Sequence, residues 1–223
     1  MSDVQYNPLP GIETYSDRAN PILASPYSTY AIGFYQTRDS LLDINTYRQF
    51  LKNCETRFRR SETYSNYKGF LIEHGMDRCQ IHGFIHADMQ GVSLEMHHAI
   101  LTLFDVCLII TEHLLNTVGF VTTFDVVQAL KEEHKAHNIS LVMLSKTPHQ
   151  VYHSDPNNFF IHPSMCFGKW PVLLEKYNKG LTQDVAFKLL YYIKKAIEVD
   201  GTQDNGLLDL REKIKEWSGY NGR

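Results

Sequence analysis

Hydrophobic and polar positions along this chain change period several times, and each change predicts an element. Leu42 to Arg59 reads as a helix. Gly69-Phe70-Leu71-Ile72-Glu73 and Arg78 to Ile85 read as hairpin strands around His74-Gly75-Met76-Asp77. A further strand runs from Ser93 to His98. The most apolar stretch, Leu101 to Val118, is interrupted by Asp105, Glu112 and His113, so it is too polar and too short to span a bilayer and predicts a core helix. A second helix follows Thr122, with Asp125 three residues on as a capping partner. Ile139 to Leu144 is a short continuous apolar run, suited to a buried strand. Thr147 before Pro148 is a good helix start, because the hydroxyl can cap free N–H groups and proline at the first helical position loses nothing. After a loop with Pro156, Pro163 and Gly168, three helices are expected near Pro171 to Asn178, Gln183 to Val199 and Leu207 to Trp217. The middle one carries Val185, Leu189, Ile193 and Ala196 on one face, a core stripe.

The order of elements predicts an α+β chain with three parts. Residues 1–30, which hold four of the eight prolines, form an extended N-terminal arm that packs over the body or a protein partner. Residues 31–165 form the main domain with a long helical insertion, and residues 166–223 a helical C-terminal region packed on it. With 223 residues and 43% hydrophobic content the chain can bury a real core. A net charge of −3 supplies no global basic field to gather nucleic acid. A local patch remains: Arg57-Phe58-Arg59-Arg60, followed by Tyr64, Tyr67 and Lys68, interleaves cations with aromatics as a backbone-tracking, base-stacking surface would, or else forms a solvated helix end. Cys54, Cys79, Cys107 and Cys166 lack pairing spacing and no signal peptide precedes them, which predicts free thiols in a reducing cytoplasm, that of the host if a phage encodes the chain.

Histidine is the candidate chemistry, since nine of the eleven lie between positions 82 and 153. His97 and His98 end a strand, and because neighbouring side chains alternate across a strand they should take different jobs, one ligating and one handling protons. His149 and His153 have the i, i+4 spacing that puts two imidazoles on one helical face, as a divalent metal needs. His82 and His86 share that spacing, but the segment around them alternates and reads as a strand. His113, His134 and His137 lie beside charged residues on helices and are expected to be solvated.

The strand Ser93-Leu94-Glu95-Met96-His97-His98, answered by Ile139 to His153, resembles the HNH nucleases of the ββα-metal (His-Me finger) class, and the final His-x-x-x-His is most similar to the colicin nuclease branch. The resemblance covers roughly residues 79 to 155. It implies that His98 is the general base that activates water, and that His97, His149 and His153 hold one divalent metal, magnesium, manganese, nickel or zinc, against the scissile phosphate. Ser140 or Asn138 takes the orienting role usually given to asparagine. Arg57, Arg59, Arg60 and Lys146 are the candidate contacts to DNA. Where many members carry two Cys-x-x-Cys pairs, only Cys79-x-x-His82 stands here, with Ser145 and Pro148 downstream, which argues against a structural zinc. The segment between His98 and Ser140 is also longer than the family's usual loop.

The expected function is therefore metal-dependent hydrolysis of DNA phosphodiester bonds, of the sort at home in a bacteriophage or mobile element. A neutral imidazole with a pKa of ~6.5 can accept a proton from water, and a divalent cation would stabilise charge on the phosphorane and the leaving oxygen. The alternative is a catalytically inactive relative that uses the same core as a binding or structural module of a phage, a mobile element or a defence-related complex, a reading favoured by the mild negative charge and the missing asparagine.

Overall fold

The computed structural model describes residues 35–154, 160–201 and 206–220, without the side chains of Tyr152 and His153. The predicted arm at residues 1–30 lies outside them. The fold is α+β, a set of helices around two small antiparallel sheets. The first sheet joins β1 (Gln36–Thr37) to β3 (Phe120–Val121). The second joins β2 (Leu94–His98) to β4 (Leu141–Ser145), with His97 opposite Val142 and His98 opposite Leu141.

Two helices precede the second sheet. In α1 (Ile44–Arg59) the Asp43 side chain accepts the Thr46 N–H at the N-terminus, and Phe50, Leu51, Cys54 and Phe58 form the buried stripe. α2 (Glu62–Glu73) is capped by Ser61 and buries Tyr67 and Leu71, one turn apart. This corrects the expected hairpin: residues 69–73 are helical, and Arg78 meets His86 as an isolated bridge without forming a strand. A five-residue apolar run fits either element, and the Ser61 cap with the Tyr67–Leu71 spacing decides for the helix. The same placement corrects the base-stacking reading, since Phe58 and Tyr67 belong to the core.

The insertion between the strands contains α3 (Leu103–Thr117) and α4 (Thr123–Lys135). Each begins with a reciprocal capping box, Thr102 with Asp105 and Thr122 with Asp125, as the sequence predicts for the second. Between β2 and α3 the chain reverses through Ile100 at φ 68°, a costly conformation for a β-branched residue, with Leu101 N–H donating to the Ala99 carbonyl. β4 is buried along its whole length, which explains its continuous apolar run. On its outer edge Gln80 acts as a piece of strand, donating from its backbone to Met143 O at 2.9 Å and accepting the Met143 N–H on its side-chain oxygen at 2.7 Å.

β4 runs without a loop into α5 (Lys146–Ser154), so the helix starts at Lys146 and Thr147 is inside it rather than capping it. Pro148 is tolerated because the first-turn N–H groups have no intrahelical acceptor. The C-terminal part contributes α6 (Trp170–Lys176), α7 (Gln183–Asp200) and α8 (Leu207–Ser218). It closes tightly on α3: a Cβ at Gly180 would lie 1.8 Å from the Ile109 carbonyl, and Lys188 pairs with Asp105 at 2.7 Å. All four cysteines are free thiols. Among the described residues no helix is long and apolar enough to cross a membrane.

Candidate functional site

Strand geometry separates the two neighbouring histidines. On one face of β2 stand Glu95 and His97, two residues apart, and α5 lays His149 against them. His149 Nδ1 is 2.6 Å from Glu95 Oε2, and the rings of His97 and His149 meet edge to face with centroids 5.1 Å apart. His97 is 4% exposed, whereas the Glu95 side chain keeps 38% of its surface. Glu95 is the residue that sequence reasoning missed; the period of two along a strand, applied backwards from His97, points to it.

Assigning the proton to Nδ1 of His149 lets it donate to the Glu95 carboxylate and leaves Nε2 with its lone pair, which is how a carboxylate prepares an imidazole to ligate a cation. The donor set suits a divalent metal only in part. Glu95 is engaged by His149, and among the described residues no three His, Cys, Asp or Glu side chains converge as metal ligands. His153 follows His149 by one turn of α5, so the backbone puts the predicted pair on one helical face.

His98 belongs to the other face. It is 3% exposed, its ring lies parallel to that of Tyr64 with centroids 6.3 Å apart, and its Nε2 is 3.1 Å from Nε2 of His134. His134 Nδ1 donates to the Leu130 carbonyl at 2.7 Å, so its Nε2 carries the lone pair and accepts from His98. Nδ1 of His98 is then a buried acceptor with no hydrogen-bond partner among the described residues. Burial, reinforced by His134, holds His98 well below the usual imidazole value, and burial lowers His134 to about 4. His134 is thus fully buried, correcting the expectation of a solvated residue: Phe58 and Tyr67 pack on it, at ring distances of 4.4 and 5.5 Å.

The remaining predicted residues distribute between these faces. Arg59 is held by Glu55 at 2.9 Å and reaches the Tyr64 hydroxyl at 3.2 Å, so it borders the His98 face, while Arg57 and Arg60 are exposed at the end of α1. Lys146 is exposed at the start of α5, on the His149 side. Ser140 is buried and its hydroxyl has no hydrogen-bond partner among the described residues; burial raises the neighbouring Cys166 thiol to about 11. Asn138 donates to Glu133 at 2.7 Å. Glu133 is 1% exposed; burial opposes its ionisation, but donors from Lys176, Asn138 and Tyr177 hold the carboxyl below its ordinary range. Asn138 is therefore a brace for a buried charge. Cys79 is buried too, and although burial raises a thiol, hydrogen bonds from Ser145 and the His82 and Ile81 backbone hold it below its ordinary value.

Residues 26–217 match the model of a protein family described as bacteriophage G278-like virion protein. No curated protein and no solved structure matches the chain.

Proposed function

This chain belongs to the bacteriophage G278-like virion protein family, and from that membership we propose that it is a structural component of the phage particle, its strand-and-helix core serving as scaffold rather than nuclease. The observation that carries this reading is His98. A general base must reach water and the scissile phosphate, yet this imidazole is sealed between Tyr64 and His134 on the face opposite His97 and His149. Its geometry suits a buried polar pair that fixes the packing of α1, α2 and α4 against the β2–β4 sheet. The Asn138 amide is likewise occupied with Glu133.

The test is the protein content of gradient-purified particles. Quantitative mass spectrometry should find the chain in a fixed number of copies per particle, resistant to a high-salt wash. A chain confined to the lysate and missing from intact particles would contradict the proposal.

A second reading, metal-dependent hydrolysis of DNA with His97, His149 and His153 as ligands, draws on the contact between Glu95 and His149. A divalent cation held there would supply Lewis-acid stabilisation of phosphoryl charge. Calorimetric titration with nickel or zinc would support this reading by a single saturable site lost in His149→Ala, and the absence of such a site would remove its basis.

A further inference from the structure

Away from the β2–β4 sheet, a cleft of about 550 Å3 opens between α2 and the end of α4. One wall is two adjacent rows of α2, Glu62, Asn66 and Phe70 beside Thr63 and Tyr67, at the i, i+4 spacing that aligns side chains on a helix. Lys135 and His137 form the other wall. The aromatic floor is built of near-parallel rings: His137 lies 5.7 Å from Tyr67 at 28° and 5.6 Å from Phe70 at 18°. Phe70 carries the His74 ring stacked on it at 4.0 Å, yet it is 38% exposed, unlike the buried Tyr67, so the part of its ring that His74 does not cover is the apolar surface offered to a ligand.

His137 ends α4 in a fixed geometry. It follows the Ala136 cap at φ 57°, its N–H donating to the His134 carbonyl and the Asn138 N–H to the Glu133 carbonyl, the left-handed turn that closes many helices. Further contacts hold it. The Tyr67 hydroxyl is 2.8 Å from its Nδ1, its carbonyl accepts the Lys169 N–H at 2.7 Å, and a Cβ at Gly168 would come within 3.3 Å of that carbonyl. The ring is thereby set in the cleft before any ligand arrives, which lowers the ordering cost of binding.

Polar groups of both kinds rim this floor. Glu62 supplies a carboxylate acceptor, touched only weakly by the Asn66 amide at 3.4 Å. Across from it the exposed Lys135 ammonium has no carboxylate within ion-pair distance among the described residues. One carboxylate and one ammonium cancel, so the cleft has no net charge to attract an ion.

We propose that this cleft binds a neutral saccharide, with the C–H face of a pyranose on the Phe70 ring and its hydroxyls hydrogen-bonded to Glu62, Asn66 and Lys135. Polarised C–H groups are drawn to the negative face of an aromatic ring, and a hydroxyl both donates and accepts, as a mixed carboxylate, amide and ammonium rim requires. The volume is within the range of small-ligand sites. A nucleotide fits less well, because its phosphate would meet a single ammonium facing a carboxylate, where strand-binding surfaces set aromatics in a positively charged track. This inference does not depend on the role of the His97 face or on the particle assignment.

The experiment is saturation-transfer NMR on the full chain, with the methyl glycosides of glucose, galactose, mannose and N-acetylglucosamine, their disaccharides, and AMP and UMP as comparators. At least one saccharide should show saturable transfer concentrated on its ring C–H protons. Phe70→Ala should weaken it by about tenfold, a loss of stacking and burial of the size aromatic contacts give. His137→Gly, which deletes the ring and keeps a residue suited to positive φ, should also weaken it, and Phe84→Ala, an exposed aromatic outside the cleft, should not. No transfer to any saccharide would overturn the proposal. So would binding of AMP or UMP alone, or saccharide binding unchanged in both Phe70→Ala and His137→Gly.

Discussion

Two histidines adjacent in sequence, His97 and His98, stand in different chemical surroundings. On the His97 face a half-exposed carboxylate orients the imidazole of a neighbouring helix, and solvent reaches the edge of the group. On the His98 face an imidazole and its partner His134 are enclosed by aromatic rings, with one nitrogen lacking a donor among the described residues. The difference teaches that a His-His pair at a strand end is one motif in sequence and two environments in space. What each histidine can do is decided by the helices that cover its face.

The sharpest way to break this contrast is to remove the sealed side. His98→Ala should lower unfolding stability in urea by about 3 kcal/mol, combining a cavity with an unsatisfied His134 acceptor. Replacing both His98 and His134 with leucine should recover most of that loss, because neither polar group is then left alone. If His98→Ala costs under about 0.5 kcal/mol, the ring is not enclosed as described.

Acid provides a second test with nearly the same reach. His134 has a folded value of about 4 against 6.5 unfolded, so below pH 6.5 the unfolded chain binds a proton that the native chain refuses. Stability should therefore fall as pH drops from 6.5 towards 4, by about 3 kcal/mol from this group at the bottom of the window. Glu133, a depressed carboxyl, contributes above its unfolded value and loses that contribution only at lower pH. Urea melts at intervals across pH 4 to 7 should show the slope, and the double leucine variant should lack the His134 part. A slope of opposite sign would refute the buried neutral pair.

The open face should respond weakly in stability and more strongly in ligation. Glu95→Gln is expected to change unfolding free energy by within about 0.5 kcal/mol, as for other half-exposed carboxylate contacts. If a nickel or zinc site exists there, the same change should weaken it by about tenfold or more through loss of the orienting carboxylate. A loss of stability comparable to that of His98→Ala would show the two faces to be alike.

Much of this architecture was legible in the residues. Capping at Thr122 and Asp125, the apolar run of β4 and the stripe of Val185, Leu189 and Ile193 are local signals, and each specified its element. Residues 69–73 misled because a short apolar run has no period of its own, and the decisive Ser61 cap stands eight positions earlier. The site was legible as a set of histidines on a strand and a helix. Its partition was not, since the pairing of His98 with His134 depends on α4 crossing beneath β2, a contact 36 residues apart in sequence. Glu133 likewise reads as an ordinary charged helix residue until Lys176 and Tyr177 arrive from α6 and the residue after it.

The most direct test of the scaffold assignment is plasmid cleavage by the purified chain with magnesium, manganese, nickel or zinc, against EDTA and with His98→Ala run in parallel. The account predicts no metal-dependent nicking beyond that of the His98→Ala chain. Nicking that requires a metal and disappears in a still-folded His98→Ala protein would contradict it and establish His98 as a catalytic base.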